Sequence, residues 1–128
     1  MKYASQEWLD RQRELQQAFG RRPGASARVQ YRLTHAPDGD DIRYFADVQD
    51  GRIVDQRIGD DPAADGTMSA SYADSVAMLR GELAPNAAFM EGRVKLSGNV
   101  AKLAALMPIT QTTEYRNHYA QLVEETEF

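Results

Sequence analysis

An α+β fold is the class that this sequence predicts, and three observations predict it. Four strand-length segments alternate apolar with polar residues one by one, the period of a strand with one dry face, and a fifth follows a hairpin signal. Other segments repeat apolar residues every three or four positions, the period of a helix that docks on something. Between them stand turn signals such as Pro37-Asp38-Gly39-Asp40 and Asp50-Gly51. At 128 residues the chain fits one domain with a real core and is too short for two ordinary ones, so residues 1–128 are taken as a single domain.

In chain order, Ser5 is placed to cap a first helix over about residues 5–19, with Gln6 and Glu7 in its first turn. Trp8, Leu15 and Phe19, with Leu9 beside them, share a face, and Gly20 and Pro23 end the helix. From Ala27, Val29, Tyr31 and Leu33 alternate with Arg28, Gln30 and Arg32 as a first strand. Ile42, Tyr44, Ala46 and Val48 form a second. Asp50-Gly51 fits the positive φ angles of a type I′ hairpin into a third strand over about Arg52 to Ile58, which sets Val48 opposite Ile53. A fourth strand carries Met68 and Ala70.

Ser71 and Asp74 form a capping box for a helix to about Arg80, where Gly81 suits a left-handed stop. Pro85 opens a short helix to about Met90, since its missing N–H has no helical partner in a first turn. Val94 and Leu96 mark a fifth strand, and Asn99 caps a helix that Pro108 is expected to stop. A last helix over about residues 113–124 carries Tyr115, Tyr119, Leu122 and Val123 on one side.

Composition narrows the partners. A net charge of -4 gives no overall attraction to phosphate backbones, so nucleic acid is not an expected partner. The cluster Arg11, Arg13, Arg21 and Arg22 reads as a solvated helix face and loop. With no cysteine, thiolate chemistry and disulfides are excluded. The first residues have no apolar segment of the length a secretion signal needs, and Val100 to Ile109 is too short to span a bilayer, so a soluble cytoplasmic protein without stable membrane insertion is expected.

Val100-Ala101-Lys102-Leu103-Ala104-Ala105-Leu106-Met107 is apolar on nearly every face and needs cover from more than one direction. Val76, Met78 and Leu79, then Ala87, Ala88, Phe89 and Met90, add two more apolar helices. From periodicity alone such helices fill a core; the pattern also permits a cavity or groove, to which methionine adapts well.

The order Val48-Gln49-Asp50-Gly51-Arg52-Ile53, then Met68-Ser69-Ala70-Ser71-Tyr72-Ala73-Asp74-Ser75-Val76, then Gly81 to Gly98 resembles the sterol carrier protein type 2 family. Ala88-Phe89-Met90-Glu91-Gly92-Arg93-Val94-Lys95-Leu96 carries most of the resemblance, which spans about residues 27–107. It implies a five-stranded, largely antiparallel sheet covered by helices and enclosing an apolar tunnel for a sterol, fatty acid, fatty acyl-CoA or similar lipid. Carried onto this chain, it implies a ligand lining of Val76, Leu79, Leu83, Phe89, Met90, Leu96, Leu103, Leu106 and Met107. Binding by burial, on the order of 25 cal/mol per Å2, needs few polar anchors. The chain departs from the family in Asn99, where relatives commonly carry an acidic residue, and in its final residues, which are not the Ser-Lys-Leu type of peroxisomal signal. The segments before Ala27 and after Pro108 lie outside the resemblance and are candidates to cover the tunnel or to pair two chains.

No catalytic residue, metal ligand or cofactor is assigned. Glu114 and His118, four apart, read as an exposed helix pair, because a metal site needs at least three ligands. No serine sits in a Gly-x-Ser-x-Gly turn, the acidic loops at 38–41 and 60–65 lack calcium-loop spacing, and Gly20 to Gly24 lacks a phosphate-loop ending. The first reading is thus a non-catalytic carrier of an apolar ligand. Its alternatives are an enzyme on the same fold, using Tyr31, Tyr44 or His35 as a polar group in the cavity, and a module forming a homodimer through its terminal helices.

Overall fold

In a computed structural model, which describes residues 1–17 and 19–128, five strands and five α-helices form an α+β domain. The order is α1 (Gln6–Gln16), β1 (Ala27–Thr34), β2 (Ile42–Gln49), β3 (Arg52–Ile58), β4 (Gly66–Ser71), α2 (Tyr72–Leu79), α3 (Pro85–Met90), β5 (Lys95–Gly98), α4 (Val100–Ala104), a 3-10 turn (Met107–Gln111) and α5 (Thr113–Glu124). The strands lie in the order β3-β2-β1-β4-β5. Three neighbouring pairs are antiparallel, but β1 and β4 run parallel, so the sheet is mixed. The reason is topological: the β2–β3 hairpin occupies one side of β1, and the chain must return across the domain to add β4 on the other.

Asp50 and Gly51 take φ angles of 51° and 83°, as a tight hairpin turn requires, and Val48 does face Ile53. One step further the register shifts: Asp47 pairs with Asp55 and Ala46 with Gln56, leaving Val54 as a bulge. Without that extra residue Ala46 would face Asp55, and an aspartate would point at the core. The bulge turns Gln56 inward, where it is 3% exposed, and leaves Val54 outside.

The sheet has one dry face. Val29 and Ala46 are fully buried on it, with Leu33, Tyr44, Val48 and Ile53 nearly so. The opposite face carries Arg28, Arg32 and Arg43, which pair with Asp61, Asp41 and Asp60 of the acidic loops at 2.9, 2.7 and 3.4 Å. Those loops therefore serve a solvated surface, where such pairs contribute little.

Both chain ends cover the dry face. Ser5 caps α1, accepting from the Trp8 N–H at 3.2 Å. α1 then lies along the edge strand β3, and its glutamines act as the missing neighbour. The Oε1 atoms of Gln16 and Gln6 accept from the backbone N–H groups of Ile53 (2.8 Å) and Ile58 (3.1 Å), and Gln6 Nε2 donates to the Gln56 carbonyl at 3.1 Å. An edge that would otherwise invite another strand is thereby closed. α5 packs beside α1: Trp8 Nε1 donates to Thr126 Oγ1 at 3.0 Å, and Arg11 pairs with Glu125 at 2.9 Å.

Several expectations are corrected. α1 stops at Gln16, because Gln17 already bonds back to Glu14 in a tighter turn. Phe19 folds onto Ala25 and Ile109 instead of extending the helix, and Ala18 lies outside the described residues. Pro108 does not stop the helix from Asn99. That helix ends at Ala104, and Pro108 sits in the first turn of the following 3-10 turn, where no N–H is needed. The capping box is half made: Ser71 accepts from the Asp74 N–H at 3.0 Å, while the Asp74 carboxylate pairs with Arg93.

β4 meets β5 and α4 very closely at Gly66, where an added Cβ would lie 2.3 Å from the Ser97 carbonyl oxygen and 2.9 Å from Leu103 Cδ1. Gly66→Ala is expected to destabilise the protein by about 1–3 kcal/mol. Gly20→Ala, which meets nothing within 4 Å, should change stability far less. Urea unfolding of both variants measures the difference.

Candidate functional site

The helices do not seat fully on the dry face, and a partly open cavity of about 180 Å3 remains between the two layers. From the sheet it is lined by Tyr31, Leu33, Tyr44, Val48, Ile53, Gln56, Met68 and Ala70. From the N-terminal region come Tyr3, Trp8, Gln12, Gln16 and Phe19, and from the C-terminal region Leu106, Met107, Ile109, Thr110, Tyr115, His118 and Tyr119. Among the described residues, no aspartate, glutamate, lysine or arginine lines it. An apolar cavity of about 150 Å3 is enough to hold benzene, so this one takes a ring or a short alkyl stretch as it stands.

Aromatic rings shape the cavity. Tyr31 and Tyr44, on neighbouring strands, stack with centroids 4.8 Å apart, and Tyr115 and Tyr119, one helical turn apart, lie at 4.5 Å. Burial raises the pKa of Tyr31 to about 12 and pushes those of Tyr44, Tyr115 and Tyr119 upward as well. All four are neutral phenols at physiological pH. Tyr3 donates to Ser75 Oγ at 3.0 Å, which fixes α2 over the sheet.

A polar strip crosses this aromatic surface. Gln56 Nε2 donates to Gln12 Oε1 at 3.3 Å, and Gln12 Nε2 donates to the Tyr119 hydroxyl. His118 is 6% exposed, its ring edge-on to Phe19 at 5.2 Å and to Tyr119 at 4.6 Å. It is thus not half of an exposed pair with Glu114: α5 turns His118 inward and leaves Glu114 in solvent. Desolvation lowers its pKa to about 4. Gln56 Oε1 and His118 Nδ1 are buried without a hydrogen-bond partner among the described residues, which costs about 1–3 kcal/mol for each group.

Of the residues expected to line a ligand site, Leu79, Leu106 and Met107 border the cavity. Leu106 touches three of the apolar clusters around it. Val76 packs behind, in the cluster around Tyr3 and Trp8, and Leu83 packs against Ala70, Ala88 and Val94. Leu96 bridges the clusters of Val29 and Val94, and Leu103 is fully buried under β1. Phe89 and Met90 stand 41% and 85% exposed on the outside of α3. His35 is exposed on a turn at φ 56°.

The terminal segments are candidates to cover the tunnel by sequence, but the residues in them that line the cavity are not singled out by it. A signal existed for part of this lining: Gln12 and Gln16 follow Trp8 at four and eight positions, on the face that docks. Gln56 gave none, because only the bulge at Val54 turns it inward.

A mixed five-stranded sheet with helices on one face, and between them a cavity lined by no carboxylate, lysine or arginine side chain among the described residues, define an α+β domain. The chain belongs to the SCP-2 sterol transfer family, which it matches over residues 7–111. Sterol carrier protein 2 of Gallus gallus is 29% identical over 70 residues, a stretch covering 55% of this chain but only 13% of that much longer protein. Solved structures agree in fold. A conserved hypothetical protein of Thermus thermophilus superposes with a TM-score of 0.74 at 21% identity, covering 95% of this chain and 90% of the other. A crystal structure of sterol carrier protein 2 gives 0.69 at 19% identity (98% and 100% covered), and palmitated SCP2L2 of Aedes aegypti gives 0.69 at 17% (88% and 96% covered).

Because folding lowers the pKa of His118 from 6.5 to about 4, the unfolded chain binds more protons at this site between those values. The stability that neutral His118 allows is complete above about pH 6.5 and is lost as pH falls towards 4, by roughly 3 kcal/mol in all. His118→Phe should flatten that part of the stability profile, measured by urea unfolding at stepped pH against the parent chain.

Proposed function

We propose that this protein is a non-catalytic carrier that binds an apolar ligand, such as a sterol, fatty acid, fatty acyl-CoA or similar lipid, in the cavity and transfers it. The observation that carries this reading is the cavity itself: about 180 Å3 of space lined by aromatic and aliphatic side chains, with no charge among the described residues of its wall. Apolar surface entering it gains on the order of 25 cal/mol per Å2 without requiring fixed polar partners. Membership of the SCP-2 sterol transfer family and the palmitated state of the Aedes aegypti relative support the same class of ligand.

Ligand pockets for whole lipids or drug-sized molecules run from roughly 300 to 1,000 Å3, so a long chain must widen this cavity into the tunnel that the family resemblance implies. Leu106, Met107 and Thr110 sit on the short segment between α4 and α5, whose backbone bonds are turn bonds rather than a full helical ladder. This segment is the natural part to move, because it opens with less loss of cooperative structure than a strand or a long helix.

An enzyme reading has one feature in its favour, the buried tyrosines and histidine in the cavity. Their shifts oppose it. A general acid or base works best with a pKa near the operating pH, whereas burial drives the tyrosines up and His118 down, away from neutrality on both sides. The pairing reading weakens for a different reason: Leu122 is 1% exposed and Tyr115 and Tyr119 line the cavity, so the apolar face of α5 is spent inside the chain.

Native mass spectrometry of the purified protein, with extraction of bound material, is expected to find an apolar small molecule at one per chain. Fluorescent fatty acid and sterol probes should bind with displaceable, stoichiometric signals. Leu106→Trp, which adds bulk where the cavity clusters meet, should weaken that binding by about tenfold while the chain stays folded. Empty protein that takes up neither probe would refute the carrier.

A further inference from the structure

A second pocket, of about 190 Å3, lies between the residues that follow α1 and the start of α5. Gly20, Arg21 and Arg22 form one side of it, Thr112 and Glu114 another, and Phe19 completes it. Among the described residues, Phe19 is the one that lines both this outer pocket and the inner cavity of about 180 Å3. A single aromatic side chain, 6% exposed, thus stands between two open spaces, each too small for a whole lipid. Together the two spaces exceed the roughly 300 Å3 at which pockets for such molecules begin.

The backbone around Phe19 is fastened. Its N–H donates to the Gln16 carbonyl at 2.9 Å, and its carbonyl accepts from Arg52 Nε at 2.8 Å. Further along, the Arg22 N–H donates to the Asp50 carbonyl at 2.6 Å, and Arg21 pairs with the Asp50 carboxylate at 2.7 Å. The ring has no such tie. It packs on Ala25 and Ile109, with Leu106 and Tyr115 beside them, and meets the His118 ring edge-on at 5.2 Å. These are dispersion contacts, each weak by itself. Room to move lies next to it, since a Cβ added at Gly20 would meet nothing within 4 Å. Rotation of the Phe19 side chain about its own bonds can therefore join the two spaces without breaking a backbone hydrogen bond.

Resting on the reading of the inner cavity as a ligand site, we propose that Phe19 is its gate: a lipid chain enters from the outer pocket between Gly20 and Thr112, and the ring swings aside to admit it. Ile109 belongs to the 3-10 segment that widens the cavity, so that segment loses a packing partner when the ring leaves. Opening at Phe19 and widening at the segment are then coupled. With the ring back in place, the bound chain is shut off from the outer pocket, and exchange waits on the next rotation.

Stopped-flow binding of cis-parinaric acid, a fluorescent fatty acid, to the full chain tests the gate, because a gate sets rates and leaves affinity nearly alone. Phe19→Ala is expected to raise the association and dissociation rates together by about tenfold each, the factor that uncovering one buried aromatic ring implies for an opening barrier, with Kd changing by less than about threefold. Phe19→Trp, a larger ring, should slow both. Leu79→Ala, in the cavity wall but away from the outer pocket, should speed dissociation alone. If Phe19→Ala speeds dissociation only and weakens Kd in proportion, Phe19 is a wall contact and the gate is refuted. Unchanged rates refute it as well; in both cases probe binding by the parent chain leaves the carrier reading standing. If the parent chain takes up no probe, carrier and gate fall together. Phe19→Leu, which keeps an apolar side chain in the cluster, should raise both rates by a smaller factor and decides the matter if the alanine variant does not fold.

Discussion

Everything in this fold depends on covering one face of a five-stranded sheet with helices drawn from both ends of the chain. The sheet buries Val29, Ala46, Leu33 and Tyr44 on that face and gives the other to arginines and aspartates. No single helix among the described residues is long enough to cover five strands. α1 takes the β3 edge, α4 fixes the β4–β5 side through Leu103, and α2 and α5 close the middle. The cover holds because the ends are tied to each other: Tyr3 N–H donates to the Glu127 carbonyl at 3.0 Å, and Trp8, 1% exposed, is anchored to Thr126. Remove that clasp and both the lid over the cavity and the seal on the sheet edge go together.

The same device explains why the cover is incomplete. Where α1 and β3 meet, glutamines stand at positions that a tight core would give to leucine or valine. Gln6 and Gln16 reach the backbone of β3, and Gln12 and Gln56 reach one another and Tyr119. These polar spacers fix the distance between helix and sheet by hydrogen-bond length rather than by close packing. The large rings of Trp8, Tyr31, Tyr44 and Tyr119 then bridge what is left without filling it. A cavity is the outcome of an interface specified by directional bonds and rigid aromatics.

The elements were legible in the sequence because they rest on local rules. Alternation marks four of the strands, Ser5, Ser71 and Asn99 mark helix starts, and Asp50-Gly51 marks a hairpin into the remaining strand whose first pair, Val48 and Ile53, is found as expected. The parallel pairing of β1 with β4 was not legible, since nothing local says on which side of a hairpin the chain returns. The cavity wall is legible where apolar pattern and lining coincide, at Leu79, Leu106 and Met107, and at Tyr31 and Tyr44, which alternation puts on the dry face of their strands. Phe89 and Met90 look like lining by composition, yet α3 turns them outward. His118 looks like a surface residue by composition, yet the phase of α5 turns it in. Which way a helix faces is set by its partners, and those are fixed only when both chain ends have docked.

An open space of this size bears on stability as well as on binding. Unfilled space beside a core costs stability, because the side chains around it lose the packing contacts that a filled interior would give them. The two unpartnered polar atoms at Gln56 and His118 add to that cost. A chain that only needed to fold would gain by replacing these residues with well-packed aliphatic ones. Retaining the space is reasonable where something else occupies it, because a ligand filling the cavity restores the missing contacts and stabilises the folded state in proportion to its occupancy. On the carrier reading the incomplete core and the ligand site are one property: the contacts that the sheet and helices leave unmade are the contacts that a ligand would make.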